Sequence, residues 1–498
     1  MSEPSLARGA AWTVAARVLE RAFGFLSLLL LARLLVPSEF GVVAMASSII
    51  AAVEIFGAFG FDWAIVRHSN PSRRLFDTAW TLRVCVATAS ALLLLLLAHP
   101  VATYFRDERL SLVVCVLAFG TFIDGFENIG MAYFRREMRF DREVVQLTAA
   151  RVAAIAVSLP IAWFTRSYWA LIAGALASKS VRLAASYLLH PFRPRFSLAE
   201  RRELFGFSLW LQLSNIAQTI RDRASDFVLG RSVGPHGVAI YAMSYELGHL
   251  ATTEIAAPTN RAVFSNYARM EGDASRIGAG FLQVASLLWL IALPVAAGIA
   301  CVAHEIVMLL LGPNWSDAPA VLRLLALGGL AAVMAANIQY VFLAMGKPRI
   351  NTLVLLAGLA IQLPLLILLA ARMGVVGAAW AYVIAAWSIL PLVFGLLRAT
   401  IQIRAMRFAR EVWRAVTATL AMVAVVLASL PDTPAADSLS AARDLLMLVP
   451  LGAFVFAGTI YLTWRLSGKP SGAETLLTSL VARTISSVSG VFLKRRHS

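Results

Sequence analysis

"LARLLVPSEFGVVAMAS" (residues 31–47) has a counterpart half a chain later, "LGRSVGPHGVAIYAMSY" (residues 229–245). Laid over each other without a gap, the two stretches share five identities at an offset of 198 residues, which also aligns Trp12 with Trp210. The identities pair Leu31, Arg33, Pro37, Ala44 and Met45 with Leu229, Arg231, Pro235, Ala242 and Met243. An arginine and a proline matching at the same turn indicate an internal repeat.

The composition is typical of a membrane protein. The 498 residues are 59% hydrophobic and 14% charged, with a mean hydropathy of +0.75. Apolar runs such as "SALLLLLLA" (residues 90–98) recur along the whole chain, and about 20 apolar residues suffice for one helical crossing. We therefore predict an all-α polytopic membrane protein with about fourteen transmembrane helices, arranged as two six-helix lobes in a parallel pseudo-repeat plus two C-terminal helices.

Basic residues are frequent in every second connection between the predicted helices and sparse in the others. We place the spans at residues 10–34, 40–66, 76–98, 110–134, 143–165, 168–190, 204–230, 236–262, 277–311, 317–345, 350–371, 374–399, 410–430 and 442–465. The connection after the fourth span holds four arginines, whereas the connection after the fifth holds only Arg166. Basic loops face the cytoplasm, so we predict that both termini are cytoplasmic.

The same alternation accounts for the net charge of +16. The charge is a topology signal and requires no nucleic-acid partner. The basic end of the chain, "LKRRHS" (residues 493–498), is expected to lie on the anionic lipids of the inner leaflet.

A second match, "YWAL" (residues 168–171) against "AWAY" (residues 379–382), extends the repeat. We predict an N-terminal lobe at 1–198, a C-terminal lobe at 199–400, helices 13 and 14 at 401–466, and a cytoplasmic basic tail at 467–498. Six crossings per lobe give both lobes the same orientation, as in parallel transporter repeats. Two such lobes imply alternating access.

Within the repeated stretch, we expect Pro37 to end the first helix, Ser38 to cap the second, and Gly41 to allow close packing.

Ionisable residues inside apolar spans are costly and mark a pathway or an ion pair. Several basic side chains fall in the cytoplasmic half or the middle of the first lobe, and two more form a second station in the second lobe. The first group is Arg17, Arg21, Arg83, Arg151, Lys179 and Arg182, and the second is Arg221 and Arg223 in "RDRASD". Guanidinium groups bind phosphate oxygens in pairs, so we predict a cationic cavity that binds a diphosphate.

Acidic residues accompany the basic ones. Glu54, Asp124, Glu127 and Glu246 are the candidates for ion coupling. In the alternative interpretation these carboxylates only neutralise the arginines. Two roles are open for His249. It forms a proton site with Glu246, or it is a packing residue held by hydrogen bonds, and the sequence favours the second role.

No catalytic pattern occurs in the sequence. We find no nucleotide-binding glycine loop with lysine, no metal-spaced cysteine or histidine set, and no serine nucleophile elbow. We therefore predict that the protein is not an enzyme and needs no cofactor or metal.

Three stretches carry a family resemblance. "LLLLARLLVPSEFGVVAMA" (residues 28–46), followed by "FGAFGFDWAIVRH" (residues 56–68), resembles the opening of bacterial polysaccharide transporters. These are Wzx-type oligosaccharide flippases of the multidrug/oligosaccharidyl-lipid/polysaccharide exporter superfamily. Residues 134–176 and 225–247 resemble that family's helix 4–6 region and helix 7–8 hairpin, although "FTRSYWAL" (residues 164–171) replaces its frequent glycine-rich turn.

The resemblance implies a multi-pass flippase of the bacterial inner membrane. It would move an undecaprenyl-diphosphate oligosaccharide from the cytoplasmic to the periplasmic leaflet for surface polysaccharide biosynthesis. The implied partners are this lipid-linked substrate, membrane lipids and the polysaccharide polymerase or export machinery. Two alternatives stay open: a cation-coupled multidrug-type antiporter of the same superfamily, and a non-catalytic scaffold for envelope polysaccharide assembly. A membrane polymerase or ligase would need a long outer loop, which the sequence lacks.

Overall fold

The computed structural model describes residues 23–55, 65, 71–137, 139–201, 209–249, 267, 274–403, 405–470 and 475. Within these ranges the regular secondary structure is helical, without a strand. In chain order the helices are α1 (Phe23–Leu34), α2 (Pro37–Glu54), α3 (Arg73–Phe105), α4 (Arg109–Gly125), α5 (Met131–Arg136), α6 (Phe140–Thr165), α7 (Trp169–Leu189), α8 (Leu209–Ser232), α9 (235–249), α10 (Ala274–Cys301), α11 (Ala303–Leu310), α12 (Ala318–Ala344), α13 (Pro348–Ile401), α14 (Ala405–Ala428) and α15 (Ser438–Leu466).

These helices confirm the predicted fold class, an all-α polytopic membrane protein. In the described part of the chain, eight helices are long and apolar enough to cross a membrane. The ninth predicted span is divided into α10 and α11, and the eleventh and twelfth are joined in α13. The join is interrupted at Gly374, whose φ of 59° and ψ of −134° are not helical. Glycine adopts such a backbone at little steric cost.

The fourth predicted span also differs from the structure, because α4 ends at Gly125 and a turn at 126–130 separates it from α5. Asn128 explains the break. Its side-chain Oδ1 accepts from the Gly130 amide at 2.9 Å, and its Nδ2 donates to the Phe192 carbonyl at 2.8 Å. An asparagine that bonds nearby backbone groups competes with helical hydrogen bonding.

The start of α2 corrects the expectation for Ser38. The N-cap is Val36 without a side-chain cap, and Pro37 is the first helical residue. The prediction that Ser38 caps this helix is therefore wrong. Proline has a fixed φ and lacks an amide hydrogen, which suits the first position of a helix, so α2 begins one residue before Ser38.

The chain divides into two compact units. Unit 1 comprises Met1–Ala242, Leu310–Trp315 and Ala370–Val375, and unit 2 comprises Met243–Leu309, Ser316–Leu369 and Val376–Ser498. In unit 2, α10, α12, α13 and α14 bury an apolar core that includes Phe281, Phe342 and Leu397. The lobe boundaries expected from the repeat, 1–198 and 199–400, stay a prediction.

Unit 1 contains residues from both copies of the repeated stretch, and they pack closely. A Cβ at Gly41 of α2 would overlap the backbone carbonyl of Pro235, the first residue of α9. A Cβ at Gly230 of α8 would overlap the ring of Phe105 and the sulfur of Met45. We call these five residues the glycine seam. The close packing expected of Gly41 is confirmed.

Two further polar contacts of unit 1 lie at the ends of α1 and α11. The buried Trp315 donates from Nε1 to the Ala32 carbonyl at 2.9 Å, and Arg33 donates from Nε to the Leu310 carbonyl at 3.3 Å. Both carbonyls belong to last turns of helices, where no intrahelical donor is available. Side chains from other parts of unit 1 therefore donate hydrogen bonds to carbonyl groups at the C-terminal ends of α1 and α11.

Candidate functional site

Charged and polar side chains of four helices and of the turn at 126–130 meet inside unit 1. We call the group Arg83, Asp124, Glu127, Gln146, Lys179 and Arg182 the polar cluster. Lys179 and Arg182 are three residues apart on α7 and so lie on one face of that helix. Asp124 is in the last turn of α4, and Glu127 follows in the turn that Asn128 stabilises.

Asp124 accepts from both cations of α7. Its Oδ2 lies 2.6 Å from Lys179 Nζ, and its Oδ1 lies 2.7 Å from Arg182 Nη2. The aliphatic part of the Lys179 side chain packs against Gly120 of α4, one turn before Asp124. Because glycine carries no side chain there, α7 and its lysine can approach α4 closely enough to form these pairs.

Glu127 joins three further elements. Its Oε2 lies 2.7 Å from Arg83 Nη2 on α3 and 3.5 Å from Arg182 Nε on α7. Its Oε1 accepts from Gln146 Nε2 on α6 at 2.8 Å. Gln146 Nε2 also donates to the Arg182 carbonyl at 3.0 Å. The carboxylate is thus held by two guanidinium groups and one amide, and only 12% of its side chain is exposed.

A cavity of about 210 Å³ opens beside Glu127. Its polar lining comes from the cluster and its neighbours, and its apolar lining from the turn before α5, the first turn of α5 and the second turn of α6. The lining residues are Arg83, Glu127, Asn128, Ile129, Met131, Ala132, Glu143, Gln146, Leu147 and Arg182. The space is large enough for a polar ligand, since one water needs only about 15 Å³.

The structure therefore brings together three of the predicted basic residues, Arg83, Lys179 and Arg182, with two of the predicted acidic ones. This arrangement agrees with the interpretation that the acids neutralise the arginines. Arg151 lies apart from these pairs, with its guanidinium group against Gly24 of α1. Arg17 and Arg21 lie outside the described residues.

The remaining predicted site residues occupy other places. Glu54 is exposed near the end of α2 and accepts from Thr121 Oγ1 at 3.0 Å. On α8, Arg223 pairs with the buried Asp226 at 3.5 Å, and Arg221 contacts the neighbouring Asp222 at 3.5 Å. Arg223 and Asp226 are three residues apart on one face of α8, so charges of "RDRASD" pair within the segment.

On α9, Glu246 is exposed and His249 is buried. One ring nitrogen of His249 lies 2.8 Å from the Tyr382 hydroxyl, and the other lies 3.2 Å from the Tyr245 carbonyl. The ring also stacks on Tyr245 with a centroid distance of 3.9 Å. The hydrogen-bonded packing role favoured for His249 agrees with this geometry.

Two functional residues were missed from the sequence. Gln146 and Asn128 are uncharged, so a search for ionisable groups passes over them. A signal existed for Gln146, because it is an amide inside an apolar predicted span, and buried amides need hydrogen-bond partners. Asn128 is followed by Gly130 in the polar break "ENIG" (residues 127–130), which indicates a turn.

Fold and site together define a polytopic helical membrane protein with ion-paired charges among its helices. The sequence matches the polysaccharide biosynthesis protein family over residues 30–320. This match covers more than half of the chain, and the protein belongs to that family.

Relatives with assigned roles are similar over most of the chain. The succinoglycan biosynthesis transport protein ExoT of Rhizobium meliloti is 24% identical over 327 residues, which cover 65% of this chain and 66% of ExoT. The lipopolysaccharide biosynthesis protein WzxC of Escherichia coli is 23% identical over 347 residues, which cover 69% and 70% of the two chains. The family resemblance of the sequence is confirmed.

Among solved structures, the lipid II flippase MurJ in an inward closed conformation is similar to this chain with a TM-score of 0.72. The similarity covers 91% of this chain and 99% of MurJ at 11% sequence identity. At such low identity the likeness shows the fold alone. The protein thus combines membership of a polysaccharide biosynthesis family with the fold of a membrane transporter.

Proposed function

We propose that the protein is a flippase for a lipid-linked oligosaccharide, with undecaprenyl diphosphate as the lipid carrier. It would move this substrate from the cytoplasmic to the periplasmic leaflet of a bacterial inner membrane, with both termini in the cytoplasm. The product would enter surface polysaccharide biosynthesis. The family membership, the MurJ-like fold and the polar cluster support this proposal.

The observation that carries the proposal is the meeting of Arg83, Lys179 and Arg182 around a polar cavity in a chain of apolar helices. Moving a charged head group through hydrocarbon without compensation costs many kcal/mol. A diphosphate that exchanges water for guanidinium and ammonium partners avoids most of that cost. The cluster is therefore assigned as a station for the diphosphate, while the lipid tail stays in the bilayer.

The ion-coupling role is assigned to a carboxylate outside the cluster. Asp124 and Glu127 are within 2.7 Å of cationic partners, which suits counter-ions. Glu54 and Glu246 are exposed and are the coupling candidates that remain. Rocking of the two predicted lobes would then expose the head group to the other side.

Deletion of the gene and rescue with single variants tests the function. Wild type, Arg83→Ala, Lys179→Ala and Arg182→Ala are expressed at equal membrane levels in the deletion strain. We expect the deletion to lose surface polysaccharide and to accumulate lipid-linked oligosaccharide on the cytoplasmic side. The three variants should rescue poorly, whereas Arg142→Ala, which removes an exposed arginine at the start of α6, should rescue fully.

Other outcomes decide between the alternatives. Normal polysaccharide in the deletion, together with raised sensitivity to cationic drugs, would replace the flippase with a multidrug-type antiporter. Lost polysaccharide that every alanine variant restores would instead indicate a scaffold, because a scaffold does not need the cluster. Lost polysaccharide without accumulation of the precursor would place the defect before the flipping step and would also contradict the proposal.

A further inference from the structure

Glu127 is surrounded as a bound anion would be. Two guanidinium groups and one amide, from α3, α6 and α7, converge on its carboxylate at 2.7, 2.8 and 3.5 Å. Glu127 itself belongs to none of these helices, since it extends from the turn at 126–130. The donors therefore have a fixed scaffold, and the acceptor comes from a short irregular segment.

Carboxylate and phosphate oxygens are accepted by the same donors. Arginine binds both through its planar set of N–H groups, and such charged hydrogen bonds are about twice as strong as neutral ones. Arg83, Gln146 and Arg182 also line the cavity of about 210 Å³ beside Glu127. An oxyanion entering this cavity would meet the donors that Glu127 now occupies.

We propose that Glu127 is an internal competitor, which occupies a phosphate subsite formed by Arg83, Gln146 and Arg182 until the phosphate of a ligand displaces it. This inference rests on the proposed function and deepens it. Rotation of the Glu127 side chain is enough to vacate the subsite. Asp124 stays paired with Lys179 and Arg182 during the exchange, so a single carboxylate is replaced by a single phosphate group.

Such a competitor has two physical consequences. Without Glu127, Arg83 would lose an acceptor at 2.7 Å and Arg182 would lose one of its two carboxylate partners. Removing one partner of a partly buried ion pair is destabilising. The competitor also weakens phosphate binding, because the donors already contact Glu127 in the free protein and the phosphate must replace those contacts. A transport site needs both properties, since a ligand held too tightly would not leave on the far side.

Binding of two probes to the purified full-length protein tests the competitor. Farnesyl diphosphate stands for a lipid-linked diphosphate, and inorganic pyrophosphate stands for the free anion. Calorimetry is performed on wild type, Glu127→Gln and Arg83→Ala in detergent. We expect Glu127→Gln to bind farnesyl diphosphate about tenfold more tightly, because it removes a charged acceptor from the donors. Arg83→Ala should bind it more weakly than wild type.

Glu143→Gln is the matched control. Glu143 lines the same cavity, so its substitution removes the same charge without vacating the subsite. A second variant, Glu127→Asp, keeps the charge but shortens the side chain by one methylene. We expect an affinity between those of wild type and Glu127→Gln, and this milder change guards against loss of folding. A single cooperative thermal transition of each protein before titration establishes that the compared proteins are folded.

Two results would overturn the inference: unchanged affinity in Glu127→Gln, or an equal gain in Glu143→Gln, which would indicate a general charge effect. Tighter binding of farnesyl diphosphate than of pyrophosphate supports a lipid source for the phosphate, whereas the reverse supports a free anion. The proposed function fails separately, through normal surface polysaccharide in the deletion strain. Rescue that depends on Arg83 without any gain in Glu127→Gln would retain the flippase and reject the competitor.

Discussion

The polar cluster and the glycine seam lie at different places along one helix, α3. Arg83 belongs to the cluster and Phe105, the last residue of α3, belongs to the seam. The two residues are 22 positions apart, which corresponds to about 33 Å of helix. This distance is close to the thickness of the hydrocarbon core of a bilayer. One helix thus connects a charged region with a region of close apolar packing.

The two regions differ in what must move to break them. Cluster contacts are made by the ends of long side chains, of which Arg83 and Arg182 are 23% and 34% exposed. Such contacts can change partners by rotation about side-chain bonds. Seam contacts place glycines of two helices against a backbone carbonyl and an aromatic ring. They can open only if whole helices separate. Side-chain contacts can therefore exchange partners in the first region, whereas the second region changes only by rigid-body motion of helices.

Gly41→Leu should have the largest effect, because it breaks the seam at a backbone contact. The added side chain overlaps the Pro235 carbonyl, and α2 or α9 must shift. Overpacking of this kind costs up to about 3 kcal/mol. We expect a lower thermal midpoint in detergent, measured by intrinsic fluorescence. Gly358→Leu is the control, since nothing lies within 4 Å of a Cβ at Gly358. A midpoint equal to that of wild type in Gly41→Leu would contradict the close packing.

Arg182→Ala should have the next largest effect, because it leaves two carboxylates with fewer partners. Arg182 contacts Asp124 at 2.7 Å and Glu127 at 3.5 Å. Because Arg182 is partly exposed, we expect the free energy of unfolding to fall by about 1–2 kcal/mol, between the values for surface and buried ion pairs. A double-mutant cycle with Asp124→Ala measures the coupling. A coupling energy near zero would show that solvent screens the pair. Arg142→Ala, at an exposed pair with Asp141, should change little.

The sequence predicted the helical membrane fold well, because apolar length is a local signal, whereas the internal repeat stays a prediction. It also predicted the role of Gly41, since a glycine after a helix start indicates a close approach. The turn at 126–130 was missed because "FENIG" contains no proline and lies between apolar segments. Its cause is the side chain of Asn128, which bonds Phe192 from a distant part of the chain.

The composition of the cluster was only partly predictable. Lys179 and Arg182 share a face at a spacing of three residues, and the sequence shows this directly. Which carboxylate each one contacts depends on how α3, α4, α6 and α7 pack, and a single sequence does not encode this in any local pattern. Arg151 illustrates the limit. It was grouped with the others by depth in the membrane, yet it lies against Gly24 instead.

Trp315→Phe tests the hydrogen bond at the end of α1. The substitution keeps most of the buried ring but removes the Nε1 donor to the Ala32 carbonyl. A buried hydrogen bond of this type contributes about 1 kcal/mol, so we expect a small decrease in the thermal midpoint. Trp387→Phe removes a longer bond, 3.3 Å to the Leu327 carbonyl, at an exposed site. Trp387→Phe should therefore lower the thermal midpoint less than Trp315→Phe. An equal or larger decrease would show that burial does not strengthen the Trp315 hydrogen bond.

Asp437 gives the smallest expected effect and shows what a hydrogen-bonded carboxylate does in water. Hydrogen bonds from the Ser440 side chain and backbone at the start of α15 lower the pKa of Asp437. A lowered pKa in the folded state means that the added stability is present above the unfolded pKa of about 3.9 and is lost as pH falls through the folded value. Asp437→Asn keeps a good N-cap without the charge.

Thermal midpoints of wild type and Asp437→Asn, measured from neutral pH down to about pH 3, check this prediction. We expect a slight advantage of wild type at neutral pH that disappears at the acidic end. Because water screens Asp437, its advantage should be smaller than the loss in Arg182→Ala. A difference in thermal midpoint as large as the loss in Arg182→Ala would mean that shielding from solvent does not strengthen the ion pairs of the polar cluster. The contrast between screened and enclosed charges would then no longer explain why Glu127 can act as a competitor.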